Sequence, residues 1–126
     1  MRPDADEMNR IAEAWIRLYR LPEDSAERED SFWSHERLRD LVDEEPEAAW
    51  DVIQAIRREG SDAVLSNLAA GPFEDLLVAH GDRFIDRIED LAERDAQFRK
   101  LLGAIWRNSI PAELWKRIKA VAGPSW

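Results

Sequence analysis

Gly60-Ser61-Asp62-Ala63-Val64-Leu65-Ser66-Asn67-Leu68-Ala69-Ala70-Gly71-Pro72-Phe73-Glu74-Asp75-Leu76-Leu77-Val78-Ala79-His80-Gly81-Asp82 is the stretch on which the fold turns. Its glycines, Gly60, Gly71 and Gly81, stand 11 and 10 residues apart. Each precedes a short segment, 61–70, 72–80 and 82–92, and each reads as a helix stop. Helices this short do not persist alone in water, so their stability must come from packing on longer neighbours. The spacing is below that of the usual repeat units, which argues against a repeat array. The expected architecture is all-α, a single compact domain of seven or eight short helices packed as a helical layer or a shortened solenoid.

The flanks agree. Upstream, Met8, Ile11, Ala12, Trp15, Leu18 and Tyr19 recur every three or four residues through 4–20, the stripe of an amphipathic helix. Leu21-Pro22 stops it, because proline disfavours helical geometry in the residue before it. Residues 23–30 are charged without an apolar face and read as an acidic loop. Ser31 offers an N-cap for a helix carrying Phe32, His35, Leu38, Leu41 and Val42. Pro46 reads as a first-turn proline ahead of Ala49, Trp50, Ile53 and Ile56. Downstream, Asp95 caps a helix carrying Phe98, Leu101, Leu102, Ile105 and Trp106. Asn108-Ser109-Ile110-Pro111 breaks the chain before a last helix with Leu114, Trp115, Ile118 and Val121. Gly123-Pro124 closes it, leaving 123–126 as a tail. Threonine is absent and valine occurs five times, a composition that favours helix over strand.

The chain has 126 residues and a net charge of −9, and it lacks cysteine. Zero cysteines exclude a disulfide framework, a thiol nucleophile and cysteine-ligated zinc or iron–sulfur sites. No apolar run approaches the ~20 residues of a membrane span, and the acidic N-terminus does not read as a targeting peptide. The expected location is cytoplasmic. The charge is polarised along the chain. Residues 1–63 carry 18 acids and 9 bases, whereas 64–126 carry 9 of each. Between Glu23 and Asp51, 12 acids face only Arg28, Arg37 and Arg39. Such a field opposes direct nucleic-acid binding and favours basic partners, although it also serves plain solubility.

Catalytic patterns are absent. The glycines form no nucleotide-binding pattern, and no serine stands in a nucleophile elbow. Glu74, Asp75, His80 and Asp82 form a local polar group that could do acid–base work or hold a metal. With only two histidines in the chain, and none at helical ligand spacing, capping explains the group better: acids in first turns, and His80 at a helix C-terminus ahead of Gly81. No metal or cofactor is expected. Among the six tryptophans, Trp15, Trp50 and Trp106 read as core. Trp33 neighbours the acidic loop, with Phe32 taking the inward position, and reads as an exposed interface anchor.

The run Leu68-Ala69-Ala70-Gly71-Pro72-Phe73-Glu74-Asp75-Leu76-Leu77, with His80-Gly81 and later Leu101, Leu102 and Trp106, resembles a family of small bacterial proteins of unknown function. That family carries an A-G-P-L-E-D-L-L core, an H-G pair and a later L-x-x-x-W. Trp15 and Tyr19, the pair Phe32-Trp33 and the run Pro46-Glu47-Ala48-Ala49-Trp50 also fit, and Phe73 departs where leucine is usual. The resemblance implies a helical domain and assigns no reaction.

The leading functional expectation is a non-enzymatic acidic protein that inhibits a basic, nucleic-acid-handling protein such as a nuclease or a CRISPR effector. It could act as an immunity protein does, or as a DNA mimic. Its contact face would be Trp33 with Glu23, Asp24, Glu27, Glu29, Asp30, Glu36, Asp40, Asp43, Glu44, Glu45 and Glu47. The alternatives are a structural or assembly subunit forming a homo- or hetero-oligomer, for instance a homodimer through an exposed tryptophan face, and a small enzyme or metal protein using His80 and nearby carboxylates. The protein itself is expected to be a monomer or homodimer.

Overall fold

The computed structural model describes residues 2–126. Asp4 caps α1 (Ala5–Arg20) by accepting the Glu7 amide, and Leu21 ends it in extended geometry ahead of Pro22. Then follow α2 (Ala26–Glu29), α3 (Trp33–Glu44), α4 (Pro46–Arg57) and α5 (Asp62–Leu68). A π-turn, Ala69–Phe73, leads into α6 (Glu74–Arg94), followed by α7 (Ala96–Gly103) and α8 (Ala112–Val121). The described residues contain no strand.

Helix α4 is the axle. Pro46 occupies its first turn, and Ala48, Ala49, Trp50, Val52, Ile53, Gln54, Ile56 and Arg57 are all buried. A helix apolar on nearly every side must be enclosed. Here α1, α3, α5, α6 and the π-turn all pack on it. Of the two packings left open by the sequence, this is the layer, since α1 reaches α4 and α5 directly rather than touching only its chain neighbours. Gly60 ends the α4 segment at φ 80, a left-handed conformation that favours glycine. Ser61 then caps α5 by accepting the Val64 amide.

Gly71 does not stop a helix, and the stop expected at Gly81 falls one residue earlier, at His80. The expected segments 61–70 and 72–80 run together through the π-turn, and a kink at His80 separates them from 82–92. Pro72 lacks an amide proton and its ring would strike the carbonyl four residues back. The wider π-turn accommodates it, and Gly71, with no Cβ to meet the proline ring, tolerates helical geometry before it. At His80 the backbone leaves helical values (φ −138°, ψ 21°), so α6 consists of two helical stretches joined across a kink. Gly81 is there for space: a Cβ on it would stand 2.0 Å from Leu114 Cδ2, where α8 crosses α6.

Other local expectations shift as well. The acidic loop 23–30 contains the single turn of α2. Ser31 makes no cap, and α3 begins from Phe32 without a side-chain cap. Asp95 does cap α7, accepting the Phe98 amide, and also pairs with the buried Arg57 at 2.9 Å. Burial works against its carboxylate, yet the Phe98 amide and the Arg57 charge hold its pKa below the ordinary value. The stability this supplies is present above the unfolded carboxylate pKa and is lost as pH falls through the lower folded value. Helix α7 stops at Gly103, so Trp106 is not core; it is 71% exposed. The expected tail is laid back over α7, with the Gly123 amide on the Arg99 carbonyl and Trp126 Nε1 on the Lys100 carbonyl at 2.7 Å.

Replacing Gly81 by alanine should cost about 1–3 kcal/mol, because Leu114 must move for the added methyl. Chemical denaturation of Gly81→Ala measures it. A cost within experimental error would mean that the α6–α8 contact is loose.

Candidate functional site

The start of α3 exposes two aromatic side chains. Phe32 is 48% and Trp33 46% accessible. Trp33 thus lies outside as expected, and Phe32 is not the inward residue. Two small serines take the inward positions, with Ser31 and Ser34 buried and the Ser34 hydroxyl donating to the Ser31 carbonyl at 2.7 Å. Phe32 stacks on His35 instead, with ring centroids 5.4 Å apart. The segment before it is tied down by Arg28, whose Nε donates to the Leu18 carbonyl at the end of α1 and whose guanidinium lies over Tyr19.

Nine of the expected contact carboxylates surround this aromatic pair or continue from it. Glu23, Asp24, Glu27, Glu29 and Asp30 are exposed before α3, and Glu36, Asp40, Asp43 and Glu44 are exposed on it. None of these nine forms an ion pair with a described residue. Trp33, Glu36, Asp40, Asp43 and Glu44 share the solvent face of α3, opposite buried Leu38, Leu41 and Val42. Glu45 and Glu47 depart from the set. Glu45 joins α3 to α4 and is only half-exposed. Glu47 is clamped by Arg83 and Arg87 at 2.9 and 2.7 Å. Burial opposes its charge, but these two guanidiniums outweigh that and hold its pKa low. Across the cleft beside Trp33, Arg10 and Arg17 on α1 face Glu27 and Asp30.

Part of the basic second half of the chain is ion-paired. Besides Arg83 and Arg87, Arg94 pairs with Asp90, Lys100 with Asp62, and Arg117 with Asp86 and Glu89. Exposed pairs of this kind add little stability, but they cancel the local field. Arg99, Arg107, Lys116 and Lys119 form no ion pair with a described residue, so open charge remains at the basic C-terminal end as well as along the acidic stretch.

The polar group Glu74, Asp75, His80 and Asp82 is divided between two clefts. Glu74 and Asp75 border a cavity of about 400 Å³ with Asp43 and Asn108. His80 and Asp82 border another, beside Pro111 and Leu114. Glu74 is buried and accepts a hydrogen bond from Asn108, which holds the 104–111 loop with its own backbone at φ 41°. His80 stands, as expected, at the C-terminal end of the first stretch of α6, at the kink. From the bend of α6 its Nε2 donates 2.8 Å to the Val42 carbonyl, in the last turn of α3. It closes an orphan carbonyl of a different helix. No group of three or more metal-ligating side chains occurs among the described residues.

Sequence reasoning passed over His35 and Arg39. They stand one turn apart on α3, with Asp43 a turn further on, and all three line the groove between α3 and the start of α6. Their i, i+4, i+8 spacing was the available signal, but His35 was counted with the apolar stripe and Arg39 as surface charge. Tyr19 Oη and His35 Nδ1 are hydrogen-bonded at 3.1 Å, and burial, against the charge of Arg28, raises the Tyr19 pKa. Asp75 lies opposite. Desolvation raises its pKa and Asp43 adds to this, while Arg39 and His35 act in the other direction.

Fold and surface together define an all-helical protein with an acidic, aromatic-tipped face and a mixed-charge groove. The family described as "Family of unknown function (DUF6869)" matches residues 21–125, and the chain belongs to it. No curated protein and no solved structure matches it. No helix among the described residues is long and apolar enough to cross a membrane.

Two substitutions separate structural from functional side chains. His80→Ala should destabilise the fold by about 1–3 kcal/mol, since the buried Val42 carbonyl loses its partner. Thermal unfolding reads this directly, and unchanged stability would release His80 for another role. Asp75→Asn should raise the melting temperature at pH 7, because ionised Asp75 is disfavoured in the fold. The gain should shrink as pH falls through the raised pKa and Asp75 becomes neutral in the parent. A loss of stability at pH 7 would contradict it.

Proposed function

We propose that this chain is a non-enzymatic binding protein that recognises a basic protein surface, with Trp33 and Phe32 as the apolar anchor inside an acidic field. The observation that carries the reading is the pairing of two half-exposed aromatic rings with nine carboxylates that form no ion pair among the described residues. Aromatic anchors at the centre of a polar rim dominate binding energy, and the surrounding charge speeds encounter with a partner of opposite sign. A nucleic-acid-handling protein offers such a basic surface, and covering it would inhibit it.

Blocking by coverage is favoured over imitation of DNA. The 12 residues of α3 span about 18 Å, over which duplex DNA presents about ten phosphates. Helix α3 offers Glu36, Asp40, Asp43 and Glu44, interrupted by Arg37 and Arg39. That density is too low for a phosphate track, but it suits a mixed protein interface. A second reading, self-assembly, draws on the 71% exposure of Trp106. A concentration-dependent mass, abolished by Trp106→Ala, would favour it.

The test is co-isolation from a nuclease-treated lysate of the source, using tagged parent chain, Trp33→Ala, and the double variant Glu36→Lys/Asp40→Lys. The parent should retain a basic protein at low salt and release it as salt rises. Trp33→Ala should weaken the purified complex at least about tenfold. The double variant should both weaken it and flatten its salt dependence. Glu47 is left alone because Arg83 and Arg87 need it. A partner held equally by all three chains would remove this face from the interface.

A further inference from the structure

We propose that the groove between α3 and the start of α6 binds a small zwitterion with an apolar body, of the amino-acid or dipeptide class. Two adjoining cavities form it. The smaller, about 150 Å³, lies between His35 and Arg39 on one side and Gly71 and Pro72 on the other. The larger, about 400 Å³, continues past Val42 and Asp43 to Val78, Ala79 and Asn108. Arg39 and Asp75 border both, so the two are continuous. The combined space is at the lower end of small-molecule sites, a fit for a ligand of this size.

The groove is electrically two-ended. His35 and Arg39 supply donors beside the π-turn, and Asp43 supplies a carboxylate one helical turn further along α3. These charges stay apart. Arg39, Asp43 and Asp75 form no ion pair with one another or with any other described residue, whereas Arg37, Arg57, Arg83, Arg87 and Arg117 each close onto a carboxylate. A guanidinium and two carboxylates that are close but not closed leave both signs of charge available to a ligand.

Each end has a defined task. Tyr19 occupies His35 Nδ1, which leaves Nε2 as the ring nitrogen for the groove. Nε2 and the Arg39 fork would hold a ligand carboxylate, the arrangement guanidinium recognises in bidentate fashion. Asp43 and Asp75 would hold an ammonium. Asp75 gains most from this, since desolvation and the neighbouring Asp43 both work against its ionised form. The walls between, Val42, Val78 and Pro72, offer apolar contact to a side chain. This site shares only Asp43 with the partner-binding face and stands or falls independently of it.

Amide-resolved NMR titration of the full chain with glycyl-L-leucine tests the proposal. N-acetylglycyl-L-leucine lacks the ammonium, glycyl-L-leucinamide lacks the carboxylate, and free L-leucine separates the amino-acid from the dipeptide source. The zwitterions should give saturable shifts at Gly71, Asp75, Val78 and Asn108, at concentrations up to about 10 mM. Each single-charge derivative should bind at least about tenfold more weakly. Arg39→Gln should reduce the affinity for the parent dipeptide to that of its amide. Asp75→Asn should reduce it to that of the acetylated form. Arg39 is exposed and forms no ion pair with a described residue, so its variant keeps the fold, as does the stabilised Asp75→Asn. Absence of saturable shifts with both zwitterions overturns the proposal, as does equal affinity for glycyl-L-leucinamide.

Discussion

Trp50 is the residue on which the rest of the structure converges. Its indole lies parallel to Phe84 at a centroid distance of 5.2 Å and meets Phe73 and Phe98 edge-on at 6.1 and 6.2 Å. These four rings come from α4, α6, the π-turn and α7, so one side chain ties four segments together. Each such ring pair adds about 0.5–1.5 kcal/mol beyond area burial. The cluster also gives a reason for the irregular middle of the chain. In a straight helix Phe73 and Phe84 would be separated by about 16 Å along the axis, too far to flank one indole comfortably. The break at His80 relieves that separation.

Around this apolar centre, long polar side chains close helix ends at a distance. Arg28 reaches the Leu18 carbonyl of α1, His80 the Val42 carbonyl of α3, and Arg99 the Ala92 carbonyl of α6. A helix end leaves carbonyls without partners, and cationic or N–H-bearing groups suit its negative pole. With helices this short, such ties matter to a large fraction of the backbone. They also explain why the chain's most conspicuous candidate for chemistry, His80, is engaged in architecture. Arg57, bonded to Gln54 and Gln97, paired with Asp95 and stacked over Phe98, does similar work inside the core.

The surface follows from what remains after these ties. In the second half of the chain acids and bases balance, and five of the nine bases are ion-paired among the described residues, three of them with carboxylates of the first half. The nine exposed carboxylates before and along α3 form no ion pair with a described residue: α3 turns its apolar face to α4, and Arg28 and Arg37 are committed to Leu18 and Glu7. Two functional readings draw on α3: the aromatic and acidic solvent face, and the groove flanked by His35, Arg39 and Asp43. Both depend on α3 having one buried face and a fixed rotation about its axis.

The all-helical class, the boundaries of α1, α4 and α8, the Asp95 cap and the acid excess were legible in the sequence, because periodicity, capping and charge are local or additive properties. The exposure of Trp33 was also legible, from its place beside a charged segment. The tertiary structure alone decided the path through Gly71 and the packing at Gly81, since a glycine that relieves a proline or admits Leu114 looks the same in sequence as one that ends a helix; the break at His80 was legible. It decided the outward position of Phe32, because two serines pack where an aromatic ring was expected. The exposure of Trp106 was settled by α7 ending at Gly103. It also decided which charges are open, since an ion pair between residues 36 or 40 positions apart, such as Glu47 with Arg83 and Arg87, exists only once α4 and α6 have packed.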